Sequence, residues 1–493
     1  LNKSLFFVLI VFLVSVGFSA EQDSQFLLPD LFVTAKDERG LDSSAKIDLN
    51  LRTGLRIQDN IVDGSLQKDM VYVEKLKLND NLNNAMYNDV SVFLGMPSLY
   101  GINFNHGYVI SNIPYFLRFN RYDNLSLYGV ANGGGSFFVA LKPDKENGIS
   151  FISKQKRMDG SQLDVLGIGY KRLVDNPISY SGVMLNANSY AGNAGLTMTE
   201  HNLDINLGKV SLLNKEMDSA VSLMYLGSKV NSLFFVDLGL NNAINTSKDS
   251  LDLGLQLWSN AGIQKFNILV DYKNSFMYES LAFMTRTQLV HDPVNVNKLF
   301  ATDFIEMDDA VIKCDERFSF SVSVNGILKD QKETFFMDMN FYNYKNVLDD
   351  IEPLVDKYYS YTGISDLIIA NTGVLFPEVK VASETVSVKV QLPIVSKKVP
   401  NLFSKLIEVT YAKEIFEGNL SIVSSYCLRE FGRTTGDDYK NALLDVDASY
   451  EKAISNDWSY GLYMENLFSA GSHYLPDRNF RDTVLYGKLK VIF

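Results

Sequence analysis

Leu485-Tyr486-Gly487-Lys488-Leu489-Lys490-Val491-Ile492-Phe493, the last nine residues, fall on two faces. Leu485, Gly487, Leu489, Val491 and Phe493 share one side of an extended chain, and Tyr486, Lys488 and Lys490 share the other. Lysines turned to hydrocarbon are destabilising by about 2–4 kcal/mol each near a bilayer midplane. If this strand crosses a membrane, its lysines therefore face a wet interior and its leucines face lipid.

The same period of two recurs upstream. Leu251, Leu253, Leu255 and Leu257 alternate with Asp252, Gly254, Gln256 and Trp258. Met337, Met339 and Phe341 alternate with Asp338, Asn340 and Tyr342, and Val386, Val388, Val390 and Leu392 with Ser387, Lys389 and Gln391. Leu444, Val446, Ala448 and Tyr450 alternate with Asp445, Asp447 and Ser449. Turn clusters such as Asp175-Asn176-Pro177, Asn193-Ala194-Gly195 and Glu417-Gly418-Asn419 separate such runs. Alternating segments of about ten residues joined by turns are the signature of a transmembrane β-barrel. A soluble sandwich or β-helix alternates too, but rarely over so long a stretch with so many aromatic residues. The spacing from 148 to 493 leaves room for about 22 strands. Turn-rich stretches near 230–249, 289–315 and 346–381 are the expected large outer loops. Residues 21–147 lack the regular pattern and read as a separate domain of mixed α/β character.

The 493 residues carry 46 Lys and Arg against 58 Asp and Glu, a net charge of −12. An acidic chain without a basic face is a poor nucleic-acid binder. Hydrophobic content of 46% with mean hydropathy near zero excludes a disordered chain and a polytopic helical membrane protein. Lys3, the apolar run Leu5 to Val14 and the small residues around Ser15–Ala20 follow the order of a secretory signal over 1–20, with cleavage after Ser19 favoured. A membrane anchor is the competing reading. Beyond residue 20 there is no apolar stretch of 18 residues, so no second spanning helix is expected.

Three stretches resemble TonB-dependent outer-membrane receptors. Pro29 and the segment Asp30-Leu31-Phe32-Val33-Thr34-Ala35 resemble the TonB box, within a coupling segment over 21–36. The resemblance implies that a TonB-like energy-coupling protein grips this segment; a β-branched extended strand suits edge-to-edge pairing with a partner sheet. Leu127-Tyr128-Gly129, followed by Gly133 and Gly134, is similar to the end of the family's plug domain, which implies a plug over 37–147 and a barrel over 148–493. Asn466-Leu467-Phe468, then His473-Tyr474, Pro476, Arg478 and the terminal Phe493, resemble the family's C-terminal pattern, by which barrel assembly machinery recognises its clients. The plug lacks the family's Ile-Arg-Gly, Leu-Ile-Asp-Gly and Arg-Gly-Pro segments; Asp123-Asn124-Leu125-Ser126 stands where the last is expected.

No zinc-protease motif, Gly-x-Ser-x-Gly elbow or Walker loop occurs, and the run Gly133–Gly135 lacks the Lys-Ser/Thr of a phosphate loop. Neither an enzyme nor a cofactor or metal is expected. His106, His201, His291 and His473 lack ligand spacing, although His106 could sit on an apical plug loop and touch a ligand. Cys314 and Cys427 read as unpaired, and Asp308-Asp309 and Asp349-Asp350 as solvated loop charge.

The sequence therefore points to an outer-membrane barrel of a diderm bacterium with a plug in its lumen, importing a small solute. The resemblance limits the solute to iron–siderophore complexes, cobalamin, haem or oligosaccharides. A structural or interaction barrel with a decayed plug, and a passive porin, are the competing readings.

Overall fold

A computed structural model describes the wall strands between residues 88 and 492 and part of their connections. Residues 1–87, Phe493 and several connecting segments, the longest 297–311, lie outside the description. The first half of the wall runs β1 (Asp89–Met96), β2 (Leu99–Ile110), β3 (Ile113–Leu125), β4 (Ala131–Leu141), β5 (Asn147–Met158) and β6 (Ser161–Arg172). It continues through β7 (Ile178–Asn188), β8 (Leu196–Leu212), β9 (Lys215–Gly227), β10 (Ser232–Asn245) and β11 (Asp249–Asn260). Next come β12 (Ile263–Tyr278), β13 (Leu281–Pro293), β14 (Cys314–Ile327), β15 (Glu333–Pro353), β16 (Tyr359–Val381) and β17 (Glu384–Val395). The wall ends with β18 (Phe403–Ile415), β19 (Gly418–Phe431), β20 (Tyr439–Ala453), β21 (Trp458–Glu465) and β24 (Val484–Ile492). A small ribbon, β22 (His473–Leu475) with β23 (Arg478–Asn479), lies in the connection before β24.

Every wall strand pairs antiparallel with its neighbour in sequence, and β24 closes the sheet on β1 through Asp89↔Ile492 to Met96↔Leu485. The result is a 22-stranded closed barrel, in which no sheet edge is left to aggregate or to face lipid unpaired. Asp89 and Ile492 mark one rim, called here the terminal rim. Connections there are two to five residues long, whereas the far rim carries the segments 294–313 and 466–483. Short turns on one side and longer loops on the other are the pattern of outer-membrane barrels. One two-residue turn on this rim, Phe416-Glu417, has both residues at positive φ (50° and 61°), as a hairpin turn of primed type requires.

The alternation read from the sequence holds. On β24 Leu485 and Leu489 are exposed on the outside, while Tyr486 is 7% exposed and shares the inner face with Lys488 and Lys490. Lys490 reaches to 3.7 Å from the Asp89 carboxylate across the closing seam. On β11 Leu255 and Leu257 point out and Gln256 and Trp258 point in. An apolar belt around the outside of a closed barrel is what a bilayer covers.

Two expectations are corrected. The domain boundary does not fall at 147/148, because β1–β4 (89–141) pair continuously into the wall. The 22 strands are the expected number, but four of them come from the stretch assigned to the plug. Their pattern is hidden in the sequence because the inner face there is also apolar, with Phe93, Leu99, Phe116, Tyr122 and Phe138 buried. The stretch 230–249 is not an outer loop either: it holds β10 and a short turn on the terminal rim. The expected loop at 289–315 does contain the long far-rim connection. At 346–381 the far-rim end is a projecting ribbon: β15 and β16 stay paired out to Pro353↔Tyr359, past their last pairings with the rest of the wall, Lys345 with Glu316 of β14 and Ile369 with Val395 of β17.

Candidate functional site at the far mouth of the bore

Glycines set the shape of the inner wall. Along one inner row Lys488, Phe93, Gly101, Tyr122 and Gly134 stand side by side in register. A Cβ on Gly101 would lie 2.0 Å from the Phe93 ring, and one on Gly134 would lie 3.1 Å from the Tyr122 ring and 2.8 Å from the Gln155 carbonyl. Each aromatic side chain thus lies flat over the neighbouring glycine, which shields that glycine's backbone. Gly133 and Gly134 therefore belong to wall strand β4, and the close approach they permit is to β3 and β5 rather than within a plug.

The bore narrows at the far mouth. Pairing of β13 with β12 stops at Val270↔Leu289, but pairing of β13 with β14 continues to Pro293↔Cys314. The top of this hairpin leaves the wall and folds inward. Its anchor points are polar. The backbone N–H of His291 donates to the Gln256 side-chain oxygen at 2.8 Å, and the Asn260 amide donates to the Ile312 carbonyl at 2.6 Å. The backbone N–H of Val296 donates to the carboxylate of Glu200 on β8. Apolar packing completes the contact: Val296, Ile312 and Cys314 join one buried cluster with Leu185, Met198, Leu226, Leu233 and Phe235 from the inner faces of β7–β10.

Under the hairpin lies a network of mixed charge. Glu316 of β14 pairs with Lys265 of β12, and His291 Nε2 is 3.8 Å from the same carboxylate. Lys265 Nζ sits 5.3 Å above the Trp258 ring, a cation–π contact, and the Trp258 and His291 rings are 6.2 Å apart. Gln256 donates to Asp237 at 3.0 Å. Among the described residues three buried atoms of this group have no hydrogen-bond partner: the Trp258 indole N–H, Asp237 Oδ1 and the Asn260 amide oxygen. A buried polar atom left unmatched is destabilising by about 1–3 kcal/mol, so such atoms mark places where a solute or water completes the bonding. One donor and two acceptors beside an indole face suit a ligand with both hydroxyl-type groups and a flat or apolar body.

The residues singled out in the sequence are differently placed. Asp30, Leu31, Phe32, Val33, Thr34 and Ala35 lie outside the described residues, as do Leu127, Tyr128, Gly129, Asn466 and Phe493. Leu467 and Phe468 form the turn after β21, where the Leu467 N–H donates to the Val446 carbonyl at 3.0 Å. His106 is not on a plug loop. It lies on β2, in register with Leu117, stacked between Phe104 and Tyr108 and 2.8 Å from the Tyr115 hydroxyl. Its row is the outward one, as the exposure of Tyr108 on the same face shows. His201 also faces outward, between Tyr180 and Tyr225. His291 alone among the described histidines with side-chain placement enters the mouth network, and no spacing signal could have picked it out. Cys314 and Cys427 stand on β14 and β19, five strands apart. Asp308 and Asp309 lie outside the description, and Asp349 is on the projecting β15 ribbon.

This fold is that of solved outer-membrane siderophore and iron receptors. The FrpB iron transporter from Neisseria meningitidis superposes with a TM-score of 0.60 at 8% identity, covering 83% of this chain and 82% of that one. The ferric enterobactin receptor PfeA from Pseudomonas aeruginosa gives 0.57 at 9% identity over 83% and 80%. The pyoverdine outer membrane receptor FpvA of the same organism gives 0.57 at 9% over 83% and 78%. No protein-family model matches the chain, and no curated protein matches it in sequence.

Proposed function

We propose that the protein is an outer-membrane receptor of a diderm bacterium that admits a scarce solute of the iron–siderophore class through a stoppered bore. The observation that carries this reading is the closed 22-stranded wall, superposable over four fifths of the chain on a ferric enterobactin receptor and an iron transporter. Cobalamin, haem and oligosaccharides are further solute classes compatible with the same architecture.

A barrel of this strand number leaks unless filled. With β1–β4 in the wall, residues 37–87 remain for the filler, about half of the stretch first given to it. The inward-folded β13–β14 hairpin contributes the rest at the mouth. Support comes from the inner face itself, where Phe116, Phe138, Leu185, Met198 and Leu226 are almost fully buried, which an empty water-filled bore would not allow. The Asp30–Ala35 segment supplies the grip for a TonB-like energy-coupling protein, 1–20 the export signal, and the C-terminal strand the signal for barrel assembly.

Deleting residues 29–35 tests the reading: energised uptake of an iron–siderophore complex is lost while the barrel still assembles. The second reading is a barrel that no longer transports. It is favoured by the placement of the supposed plug motif Gly133–Gly134 on a wall strand, and it predicts that the same deletion changes nothing.

A further inference from the structure

We infer that the far mouth sorts solutes by charge, with the Asp237 carboxylate receiving an ammonium group of the solute. The inference rests on the reading that a solute binds at this mouth, and it adds which chemistry is admitted. Among the described residues, the inner rows of Phe235, Asp237 and Gly239 across β8–β12 hold one cation, Lys265, and two carboxylates, Asp204 and Asp237. Lys265 is bound to Glu316, and Asp204 accepts from the Ser179 hydroxyl at 3.2 Å. Asp237 accepts from the Gln256 amide through Oδ2 at 3.0 Å. That amide is held at its other end, because its oxygen accepts the His291 backbone N–H. Among the described residues Asp237 Oδ1 is buried without a hydrogen-bond partner. A carboxylate oxygen withdrawn from water with neither donor nor counter-ion is destabilising, and a bound cation removes that cost.

The wall leaves room for that cation. One row nearer the terminal rim, Gly239 and Gly254 stand side by side, with Ala220 next to them. A Cβ on Gly239 would meet nothing closer than Asn241 Oδ1 at 3.6 Å, and one on Gly254 would lie 3.2 Å from Asp237 Oδ1. The bare carboxylate oxygen thus overhangs a hollow in the wall whose other polar group is also an acceptor. One row nearer the far rim stands Trp258, 5% exposed, its indole N–H unmatched among the described residues. Sheet spacing puts it about 7 Å from the carboxylate. An ammonium in the hollow, with an oxygen acceptor on the same solute reaching the indole N–H, satisfies both groups. A hydroxyl would supply the hydrogen bond but not the charge. One carboxylate and one amide oxygen are too few ligands for a hard metal ion. A polyanionic solute would meet the carboxylate as a like charge at low dielectric.

Fluorescence titration of the full chain in nonionic detergent tests this, with Trp458→Phe leaving Trp258 as the one tryptophan of the two in the sequence. The probes are a linear trihydroxamate iron(III) complex with one free ammonium, the same complex N-acetylated, and a trianionic tris-catecholate iron(III) complex. The ammonium form should quench Trp258 with roughly tenfold higher affinity than its acetylated twin, and the tris-catecholate should bind most weakly. Asp237→Asn should bring the two trihydroxamates within about twofold of each other. Heat-modifiable migration on gels reports whether that variant assembles; if it does not, the comparison of the two trihydroxamates on Asp237 itself decides. Equal affinity for the two trihydroxamates, a preference that survives Asp237→Asn, or a tris-catecholate bound as tightly as the ammonium form would each overturn the inference alone, since a solute would still bind at the mouth. Quenching by none of the three would overturn the reading beneath it as well.

Discussion

Val296 and Glu200 are separated by 96 residues, yet the backbone N–H of the first donates to the carboxylate of the second inside the barrel. Both are buried, at 1% and 3% exposure. The bond ties the far-rim connection after β13 to the inner face of β8, across the intervening strands of the wall. A charged acceptor makes it stronger than an ordinary amide contact.

Glu200→Ala should therefore free the hairpin. The lost bond is worth about 1.5–3 kcal/mol, spent locally rather than on the wall. Hydrogen–deuterium exchange in peptides covering 290–316 should rise by tenfold or more, with the strands of β17–β21 unchanged. Unchanged exchange would mean that apolar packing of Val296 and Ile312 holds the hairpin alone.

The two tryptophans report the two faces. Trp258 points into the bore at 5% exposure, and Trp458 points outward at 46%. Brominated acyl chains should quench Trp458 and spare Trp258, so Trp458→Phe should abolish most lipid quenching. Conversely, an iron-loaded siderophore bound at the mouth should quench Trp258 and not Trp458.

Neighbouring positions on β24 should respond oppositely to charge. Leu489→Lys places an ammonium in the apolar belt and should lower folding stability in vesicles by about 2–4 kcal/mol. Lys490→Leu, on the inner face, should change it by under about 1 kcal/mol, because its ion pair with Asp89 is loose and part-exposed. Urea titration of folding into vesicles distinguishes the two.

Gly101→Ala should be destabilising by about 1–3 kcal/mol, since the new methyl meets the Phe93 ring and the Arg121 carbonyl at once. Adding Phe93→Ala should recover only part of the loss, because the carbonyl contact at 2.6 Å remains.

The β4–β5 turn should loosen in acid. Asp144 accepts from the Asn147 side chain and from the backbone N–H groups of Glu146 and Asn147. The Asn147 bond, then the backbone bonds, hold its carboxyl below the ordinary value of 3.8. A depressed carboxyl contributes fully above that value, and the contribution is lost as pH falls through the lowered one. Exchange of the 146–147 amides should accelerate in that acid window, and Asp144→Ala should show the fast rate at neutral pH.

Much of this was legible in residues such as Leu255 and Gln256, where oil-facing and bore-facing side chains differ in kind. It failed at Phe93, Phe116, Tyr122 and Phe138, because the inner face there is apolar and buried too, which erases the contrast on which alternation depends. The glycine run on β4 misled for a related reason: a glycine under a neighbouring tyrosine looks, in sequence, like a glycine in a tight turn. The mouth was the least legible part. Glu200, Trp258, His291 and Val296 meet only because one hairpin departs from the wall, and no local spacing encodes that departure.

Conductance across a planar bilayer tests the stoppered barrel most directly, comparing the full chain with one lacking residues 21–87 but keeping the export signal. The full chain should stay closed, and the shortened chain should open in large steps, reduced in size by the inward-folded β13–β14 hairpin. Equal conductance of the two, whether both open or both closed, would contradict the claim that the leading segment fills the bore.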